Sequence, residues 1–574
     1  MSDRIWIVSE PRPDLEREIA RDHGLSRAAA RILVSRGLTE RAGIAEFLTP
    51  SAEPEDDPSA LPGMAAAVDR LARAKAGAET VLVFGDYDVD GVTGTALLVS
   101  VFRAVGINAV WRIPDRLGEG YGLQASSIEA IRKTGASVVV TVDNGIGAAE
   151  AVTAAAGLGI DVIVTDHHEI PRAGPPAGAF AILHPSLPES AGGGWPRGST
   201  LAGVGVAYVL ARALIDRLGG GLPHDSLLDL VALGTVADMA PLTGWNRGLV
   251  RQGLARIGSG DRLGVRALVK AAGCDRRPIT AGVVGFYLGP RINAGGRVGT
   301  AGTSVELLLE EDEAEAAALA GVLDGLNRER QAMEEEIVGD AVGMVEKLSE
   351  LPGAIVLGSE EWHPGVIGIG AARVAERFHR PTLLISLSND AGKGSARSIP
   401  GFDLYAALCE CDGLLEKFGG HRYAAGVTVR TERIPELAGR LSEIASREMG
   451  EDGFRPRLKI DGPLSADEIS MNFAEEIERF APFGVGNPEP VLVLRNAVVL
   501  STSVLKEKHV KFWVEAGSRR LGGIAWKFAP RAAELARGAR VDLAFTCGIN
   551  EWNGSRSVQL ELKDVKSRGV GNKD

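Results

Sequence analysis

The 574-residue sequence has only four cysteines and no long uncharged apolar run. The cysteines, Cys274, Cys409, Cys411 and Cys547, match the spacing of neither a zinc ribbon nor a disulfide framework, so we expect reduced thiols. A membrane helix needs about 18 consecutive apolar residues, and a secretory leader needs a basic start followed by an apolar stretch. The sequence shows neither pattern, and we therefore expect a soluble protein of the cytoplasm.

The chain also lacks an excess of positive charge. Its formal net charge of −12 argues weakly against a nucleic-acid partner, although DNA binding depends on a local basic track more than on the total. With 45% hydrophobic and 24% charged residues, the chain is long enough for about three to four globular domains of roughly 150 residues each. The sign of the total charge therefore does not decide whether the protein binds nucleic acid.

Short apolar runs alternate with helix-like stretches in the first half of the chain. Runs that are apolar throughout and separated by helices are typical of a parallel sheet that helices cover on both faces. The predicted strands are residues 80–85, 108–114, 137–142, 161–166 and 180–185. This pattern predicts a doubly wound parallel sheet.

The pattern changes twice further along the chain. Residues 304–350 contain no proline and one apolar stripe, which predicts one or two long connecting helices. Five short strand-like runs after residue 455 predict a small β-barrel such as an OB-fold. The predicted fold class is thus multidomain α/β. Its expected parts are an N-terminal segment of two short helices (1–60), the doubly wound domain (61–303), the connecting helices (304–350), a smaller α/β domain (351–454) and the barrel (455–574).

The stretch GDYDVDG, residues 85–91, places aspartates at alternate positions before a glycine. An EF-hand begins in this way, but its twelfth loop position must be a bidentate Glu, and counting from Asp86 that position is Leu97. A P-loop is excluded as well, because Gly91 and Gly94 are not followed by a Lys and a Ser or Thr. The closely spaced carboxylates require another explanation.

Further acidic and imidazole side chains follow other predicted strands. Ligands of an open parallel sheet bind beyond the carboxyl ends of its strands, and we expect the following residues to meet there: Asp86, Asp88, Asp143, Asp166, His167, His168 and Asp238. One Asp after a strand is commonly a helix cap or a turn former. Several carboxylates together would raise one another's pKa unless cations neutralised them, and Asp with His suits Mn²⁺ or Mg²⁺.

Several of these segments resemble the ordered motifs of the DHH phosphoesterase superfamily. The matching stretches are GDYDVDG, TVDNG, TDHHE and GTVADMAP. Three later stretches, GPRINAGGRVG (289–299), EWHPGVIGIGAARVAERFHRPT (361–382) and FGGHRYAAG (418–426), are similar to motifs of its RecJ branch, and so is PFGVGNPEP (482–490). The resemblance implies a 5′ to 3′ exonuclease that degrades single-stranded DNA in recombination and repair.

The resemblance also implies a site for two divalent ions, Mn²⁺ or Mg²⁺. The implied ligands are Asp86, Asp88, Asp143, His167 and Asp238, with Asp143 or Asp238 placed to bridge. His168 would touch the scissile phosphate, and Asp166 would orient the neighbouring imidazole. Asp90 is open between ligation and stabilising the turn beside Gly91.

The smaller α/β domain is expected to hold the substrate. In GSARSI, the residues Gly394, Ser395 and Arg397 offer backbone amides, a hydroxyl and a guanidinium, which suit a terminal phosphate; Ala396 stands where the family commonly has Gly. His421 resembles the family's substrate-side histidine. The remaining substrate-binding candidates, Arg291 and Arg297, could line the entry to the site or form ion pairs at a helix boundary.

Basic and aromatic residues alternate between Lys506 and Phe528. Basic side chains follow phosphates, and exposed aromatic rings stack on unpaired bases. Neighbouring residues of a strand point to opposite faces, so Phe512 and Trp513 cannot both stack on DNA. The residues that we expect to bind the strand are Lys508, Lys511 and Trp513.

Two other functions are compatible with parts of the sequence. A DHH phosphodiesterase of short RNA or cyclic dinucleotides would not need the C-terminal barrel. A non-catalytic replication scaffold would carry degenerate ligand motifs, whereas all four are intact here. Single-stranded DNA is the expected partner, and a single-strand-binding protein and a RecQ-type helicase are partners by resemblance alone.

Overall fold

The structure, a computed structural model, describes residues 4–53, 57, 60–116, 118–187, 200–552 and 554–567. The chain forms two compact units. One contains Glu53–Ala240 and Gln252–Arg455, and the other contains Met1–Ala52, Pro241–Arg251 and Pro456–Asp574. The N-terminal segment thus belongs to the same unit as the C-terminal residues, a long-range association that the predicted domains did not include.

Helices are spread along the whole described chain. Their bounds are α1 (Pro13–His23), α2 (Arg27–Ser35), α3 (Arg41–Leu48), α4 (Met64–Ala76), α5 (Val89–Ala104), α6 (Ile128–Arg132), α7 (Ala149–Gly157), α8 (Gly203–Leu218), α9 (Leu228–Ala237), α10 (Gly244–Ser259), α11 (Leu263–Ala271), α12 (Ala281–Val283), α13 (Gly289–Val298), α14 (Gly302–Leu309), α15 (Glu313–Glu346), α16 (Ile367–Phe378), α17 (Leu404–Cys409), α18 (Ile434–Gly453) and α19 (Met471–Glu478). A π-helical turn, Val284–Leu288, joins α12 to α13. No helix within these described ranges is long and apolar enough to cross a bilayer.

The strands fall into several sheets. Their bounds are β1 (Ile5–Val8), β2 (Thr80–Gly85), β3 (Asn108–Arg112), β4 (Ala136–Val142), β5 (Asp161–Thr165), β6 (Ala181–Leu183), β7 (Ile355–Ser359), β8 (Thr382–Ser388), β9 (Ala391–Arg397), β10 (Lys417–His421), β11 (Ala424–Arg430), β12 (Arg457–Ile460), β13 (Gly462–Pro463), β14 (Leu492–Leu505), β15 (His509–Ala516), β16 (Arg519–Ala525), β17 (Arg540–Trp552) and β18 (Ser555–Ser567).

The predicted parallel sheet is confirmed. Its strands pair in the order β3-β2-β4-β5-β6, and every pairing is parallel. Nearly every residue of β2, β4 and β5 is buried, because helices shield a parallel sheet from water on both faces. β3 and β4 lie on opposite sides of β2, and such a reversal of strand order opens a crevice at the carboxyl ends of the strands.

The smaller domain holds a mixed sheet in the order β10-β11-β9-β8-β7. Only β7 and β8 run parallel. Between the two sheets, the chain forms α14 and the 34-residue helix α15, as the proline-free apolar stripe predicted. Asp312 caps α15 by accepting the amides of Ala314 and Glu315.

The C-terminal residues form the expected barrel. The order β14-β15-β16-β18-β17 closes on itself through a β14–β17 pairing, which gives five strands around one apolar core. Inside this barrel the alternation of β15 is as predicted, because Phe512 is fully buried and Trp513 is 44% exposed.

Two local predictions were wrong. The N-terminal segment contains three helices rather than two, because Gly24 ends α1 in the left-handed conformation and Ser26 caps α2 by accepting the Ala29 amide. The apolar run before Asp238 is the helix α9 and not a strand. It is apolar on almost every side because it is buried, so its sequence shows no helical periodicity.

Candidate metal and phosphate site

The turn after β2 presents two carboxylates. Asp88 caps α5, where its Oδ1 accepts the amides of Asp90 (3.0 Å) and Gly91 (3.1 Å), so its Oδ2 is left for another ligand. A Cβ at Gly91 would lie 2.5 Å from the backbone of Asp86, so only glycine lets α5 begin this close to β2. The Asp-rich motif therefore holds both Asp86 and Asp88 at the carboxyl end of the sheet.

Asp90 has a structural partner of its own. Its carboxylate accepts the amides of Gly203 (2.6 Å) and Val204 (2.8 Å) at the start of α8, which satisfies two of the helix's unpaired amides. Its Oδ2 also lies 3.6 Å from Nε2 of His167. Asp90 thus stabilises the start of α8 and borders the acidic cluster, whereas the turn beside Gly91 is held by Asp88.

Asp143 follows β4 in the left-handed conformation, with φ of 62°. Gly203 gives it room, since a Cβ on that glycine would lie 2.6 Å from the Asp143 Cβ. The Asp143 Oδ1 is buried and lies 3.1 Å from Nε2 of His167. This strained turn brings the Asp143 carboxylate to the imidazole that follows β5.

Asp166 organises the turn that contains both histidines. Its Oδ1 accepts the amides of His167 (2.8 Å) and His168 (3.1 Å) and the Nδ1–H of His168 (2.8 Å), while Oδ2 accepts the Ile146 amide at 2.9 Å. Burial opposes its charge, but these hydrogen bonds keep the pKa of Asp166 below its usual value. Each of these bonds orients a neighbour of Asp166.

Asp238 reaches the cluster from a helix end. It is the C-terminal cap of α9, and its Oδ2 lies 3.8 Å from Nε2 of His167. Asp238 was predicted to follow a strand and instead follows the helix α9. Its carboxylate still lies beside the His167 imidazole.

The protonation of these groups follows from their burial and their mutual charge. Desolvation, followed by repulsion between neighbouring carboxylates, holds the pKa of Asp86, Asp90 and Asp143 well above the usual value and raises the pKa of Asp238 to about 7. Burial lowers the pKa of His167 to about 4, which leaves a neutral ring with a lone pair.

These residues fit a divalent metal centre. Three buried atoms, Asp86 Oδ1, Asp143 Oδ1 and His167 Nε2, have no hydrogen-bond partner. Ligand atoms lie within 4.8 Å of one another in three overlapping groups: Asp86, Asp88 and Asp143; Asp90, His167 and Asp238; and Asp143, His167 and His168. Carboxylate oxygens with one or two imidazoles suit Mn²⁺ or Mg²⁺. Asp143 and His167 each belong to two groups, and of these two only the Asp143 carboxylate has two oxygens to offer.

His168 lies at the open side of this cluster. Burial opposes its charge, but the hydrogen bond and negative charge of Asp166, with Asp238 and Asp90, raise its pKa to about 9. Its side chain is 35% exposed, so a substrate can reach it. Tyr121, which sequence reasoning missed, donates to the Asp143 carbonyl at 3.0 Å and places its hydroxyl 3.2 Å from Nδ1 of His168.

Three guanidinium groups form a cationic cluster, Arg116, Arg297 and Arg397, beside the acidic one. Burial and the neighbouring cations lower the pKa of Arg297 to about 10, and burial with the charge of Arg116 lowers the pKa of Arg397. Arg116 stacks over the Tyr87 ring, with 4.9 Å between the guanidinium carbon and the ring centroid. Arg116 was also missed, although it stands shortly after β3, at the sheet edge where acidic residues and histidines were sought.

The segment that was predicted to bind a terminal phosphate lies in a strand. Gly394, Ser395 and Arg397 lie in β9, which pairs with β8 on one side and β11 on the other, so the sheet uses its backbone amides. A Cβ at Gly394 would lie 2.6 Å from Val427, and the glycine therefore serves core packing. What β9 can offer an anion is the Ser395 hydroxyl and the Arg397 guanidinium, whose Nη1 is 3.1 Å from Ser395 Oγ.

The other two predicted substrate residues lie in different settings. His421, at the end of β10, is 3.4 Å from Glu169 and shares with His168 and Tyr121 the lining of a cavity of about 510 Å³. Arg291 donates to Asp324 on α15 at 3.0 Å. It therefore forms an ion pair, which was the alternative to lining the entry to the site. We therefore assign Arg291 to the packing of α13 on α15.

The barrel carries an exposed basic and aromatic strip. The Trp513 ring covers Gly522, where any Cβ would lie 3.2 Å from the ring, and Lys511 points to the same outer face. Lys508 is exposed in the turn between β14 and β15. Trp526 is 52% exposed and contacts His509 edge-on. The strip thus combines cations with flat apolar surfaces on one side of the barrel.

Comparison with known families matches most of the chain. The N-terminal domain of the DHH family matches residues 80–235, the DHHA1 domain matches residues 350–447, and the RecJ OB domain matches residues 460–564.

Individual relatives match over longer stretches. The single-stranded-DNA-specific exonuclease RecJ of Bacillus subtilis strain 168 is 37% identical over 565 residues, which cover 98% of this chain and 70% of that protein. The protein of the same name from Escherichia coli K12 is 38% identical over 88% of this chain and 90% of its own length. A crystal structure of RecJ with Mn²⁺ from Thermus thermophilus superposes with a TM-score of 0.84 and 32% identity over 99% of this chain and 81% of that chain.

Proposed function

Because this chain belongs to the RecJ family of single-stranded-DNA-specific exonucleases, we propose that it hydrolyses single-stranded DNA from the 5′ end with Mn²⁺ or Mg²⁺ as cofactor. The observation that carries the proposal is the convergence of three buried polar atoms without hydrogen-bond partners, from the segments after β2, β4 and β5. The 5′ to 3′ polarity comes from the family resemblance and is the part of the proposal that the residues alone do not supply.

The acidic cluster would hold two divalent ions. Asp86, Asp88 and Asp143 would form one set of ligands. His167, with Asp143 at 3.1 Å and Asp238 at 3.8 Å from its Nε2, would form the other. Bound ions of this kind polarise the phosphorus and lower the pKa of a water molecule, so that hydroxide is available near neutral pH. Asp90 would hold the start of α8 against this cluster.

His168 would act on the phosphate itself. In the metal-free chain its pKa is raised to about 9, which favours the positively charged ring, and its Nδ1–H donates to Oδ1 of Asp166. The positive ring would bind a non-bridging oxygen of the scissile phosphate and stabilise the charge that develops during cleavage. Asp166 fixes the orientation of that ring.

The cationic cluster would hold the terminal phosphate of the strand. Guanidinium groups form bidentate, charge-assisted hydrogen bonds with phosphate oxygens. Arg397 and Ser395 offer donors from β9, and Arg116 lies close enough to lower the pKa of both Arg297 and Arg397. His421 would approach the same nucleotide from the cavity that it shares with His168.

The barrel would bind unpaired nucleotides of the strand. Lys508 and Lys511 would contact phosphates, and Trp513 would stack on a base, since OB-folds bind about 4 to 16 unpaired nucleotides in this way. A single-strand-binding protein and a RecQ-type helicase are proposed partners by resemblance, and pull-down of each purified protein by this chain would test them.

The test compares nucleotide release from long single strands, duplexes and dinucleotides, with Mn²⁺ or with EDTA. We expect release from the single strand only with metal, little release from blunt duplex, and loss of activity in Asp143→Ala. Cleavage of dinucleotides alone would support the short-substrate phosphodiesterase instead. Strand binding without cleavage in Mn²⁺ would support the non-catalytic scaffold.

A further inference from the structure

A third histidine, which is buried, contacts the turn that contains His167 and His168. His184 directly follows β6 and is 1% exposed. Its Nε2 lies 2.8 Å from the carbonyl oxygen of His168, and its Nδ1 lies 3.1 Å from the backbone nitrogen of Ser186. A carbonyl only accepts and an amide only donates, so His184 carries its proton on Nε2 and a lone pair on Nδ1.

The preceding residue holds the other end of the same turn. The carbonyl of Leu183, the last residue of β6, accepts the amide of Asp166 at 3.2 Å. Two consecutive residues, Leu183 and His184, therefore hold Asp166 and His168, which flank His167 on either side. The Asp166 carboxylate fixes the same turn from the side of β4 through the Ile146 amide.

The His168 ring approaches Asp143 at 3.6 Å, and the His167 ring faces carboxylates that follow both β4 and α9. Its Nε2 lies 3.1 Å from Asp143 and 3.8 Å from Asp238. A ligand that must meet carboxylates from other segments depends on the placement of its backbone, and the loss of an outer hydrogen bond that orients a ligand weakens metal sites by about 10- to 100-fold. The donor that reaches the His168 carbonyl is thus placed to set the geometry of the imidazole ligand.

We propose that His184 is a positioning residue whose Nε2–H···O=C bond to His168 holds the His167 imidazole where it binds the divalent ion. The inference rests on the proposed function, because it concerns the same metal centre. It differs from simple core packing in one respect. Packing requires only the shape of the ring, whereas positioning requires the donor.

The experiment measures Mn²⁺ binding to the full chain by isothermal titration calorimetry without DNA, together with the thermal unfolding temperature in EDTA. His184→Phe keeps an aromatic ring and removes the donor, and His184→Gln keeps an N–H donor without the ring. Ser186→Ala is the matched control, since it retains the backbone amide that contacts His184. We expect the Phe variant to bind Mn²⁺ about tenfold more weakly, while the Gln and Ala variants stay within about twofold of the wild type.

Equal Mn²⁺ affinity of the wild type and a folded Phe variant would overturn the role of His184 and leave the proposed nuclease function intact. If the Phe variant does not fold, the Gln variant decides, because a tenfold loss in that variant would show that the donor is not what matters. A wild-type chain that binds no Mn²⁺ would overturn both the proposed function and this inference.

Discussion

Oδ1 of Asp166 lies 2.8 Å from Nδ1 of His168, and the same oxygen accepts the backbone amide of His168. This pair links the most tightly held carboxylate of the site to the partly exposed imidazole. The relationship makes Asp166 an orienting group and His168 the group that meets the substrate.

The first prediction concerns this pair. Asp166→Asn removes the negative charge that keeps His168 protonated, and we expect kcat on single-stranded DNA to fall by about 10- to 100-fold. Asp69→Asn, an exposed carboxylate on α4, is the control and should leave kcat unchanged. Equal kcat values for the two variants would show that the bond between Asp166 and His168 has no part in the reaction.

The second prediction concerns pH and metal. The pKa of Asp238 is raised to about 7, so its folded-state pKa lies above its unfolded value of about 3.9. A raised pKa means that the folded chain binds more protons, so the metal-free chain loses stability as pH rises from about 4 to 7. The same sign holds for Asp86, Asp90 and Asp143, whose pKa values are also raised.

Thermal unfolding in EDTA between pH 5 and 8 measures this effect. We expect the unfolding temperature to fall by at least about 2 °C over this range, since roughly 1 kcal/mol shifts it by 2 to 4 °C in larger domains. Mn²⁺ should remove most of the dependence, and Asp238→Asn should reduce it in EDTA. An unfolding temperature in EDTA that does not change with pH would contradict the burial of these carboxylates against one another.

The third prediction concerns the end of the strand. Arg397→Ala and Arg116→Ala each remove a cation from the proposed phosphate pocket, and we expect KM for a 5′-phosphorylated strand to rise about tenfold, because charge-assisted hydrogen bonds contribute roughly 1.5 to 3 kcal/mol. Preference for a 5′-phosphate over a 5′-hydroxyl should fall in parallel. Arg291→Ala is the control, since Arg291 pairs with Asp324, and it should change KM little. A higher KM in Arg291→Ala, with no change in Arg397→Ala or Arg116→Ala, would instead place the phosphate pocket at α13.

The fourth prediction separates two adjacent aromatic residues of β15. Trp513→Ala should weaken binding of a long single strand by about 1 to 3 kcal/mol with little change in stability, since its ring is exposed. Phe512→Ala should destabilise the barrel by about 3 to 5 kcal/mol, because its ring fills the core. Fluorescence anisotropy and thermal unfolding measure the two effects. DNA affinity of Trp513→Ala equal to that of the wild type would show that this face of the barrel does not bind the strand.

Much of the fold follows from local patterns in the sequence. The strands β2, β4 and β5 are apolar at almost every position because both faces of a parallel sheet are buried, and this makes them visible without any alternation. The barrel strand β15 is visible for the opposite reason, since Val510, Phe512 and Val514 are buried and alternate with more exposed residues.

The missed elements depend on tertiary packing. α9 is buried on nearly all sides and lacks an amphipathic pattern. β9 contains glycines, which usually indicate a loop, but Gly394 here packs against Val427 and Leu383. The pairing of β1 with β12 joins residues about 450 positions apart, which no local pattern encodes.

Part of the site could be predicted from the sequence, because the predicted sheet fixes where its strands end. Asp86, Asp88, Asp143, Asp166, His167 and His168 follow strands whose carboxyl ends must meet, so sheet topology alone brings them together. Arg116 and Tyr121 lie in the long connection after β3, and their direction depends on contacts with Tyr87 and His168 that spacing does not determine.

The most direct test of the metal centre counts Mn²⁺ bound to the purified chain by mass spectrometry of the metal, alongside nucleotide release from a 5′-phosphorylated single strand. We expect two ions per wild-type chain, fewer than one in Asp143→Ala, and release that falls together with the bound metal. An Asp143→Ala chain that keeps both ions and degrades the strand at the wild-type rate would contradict the account.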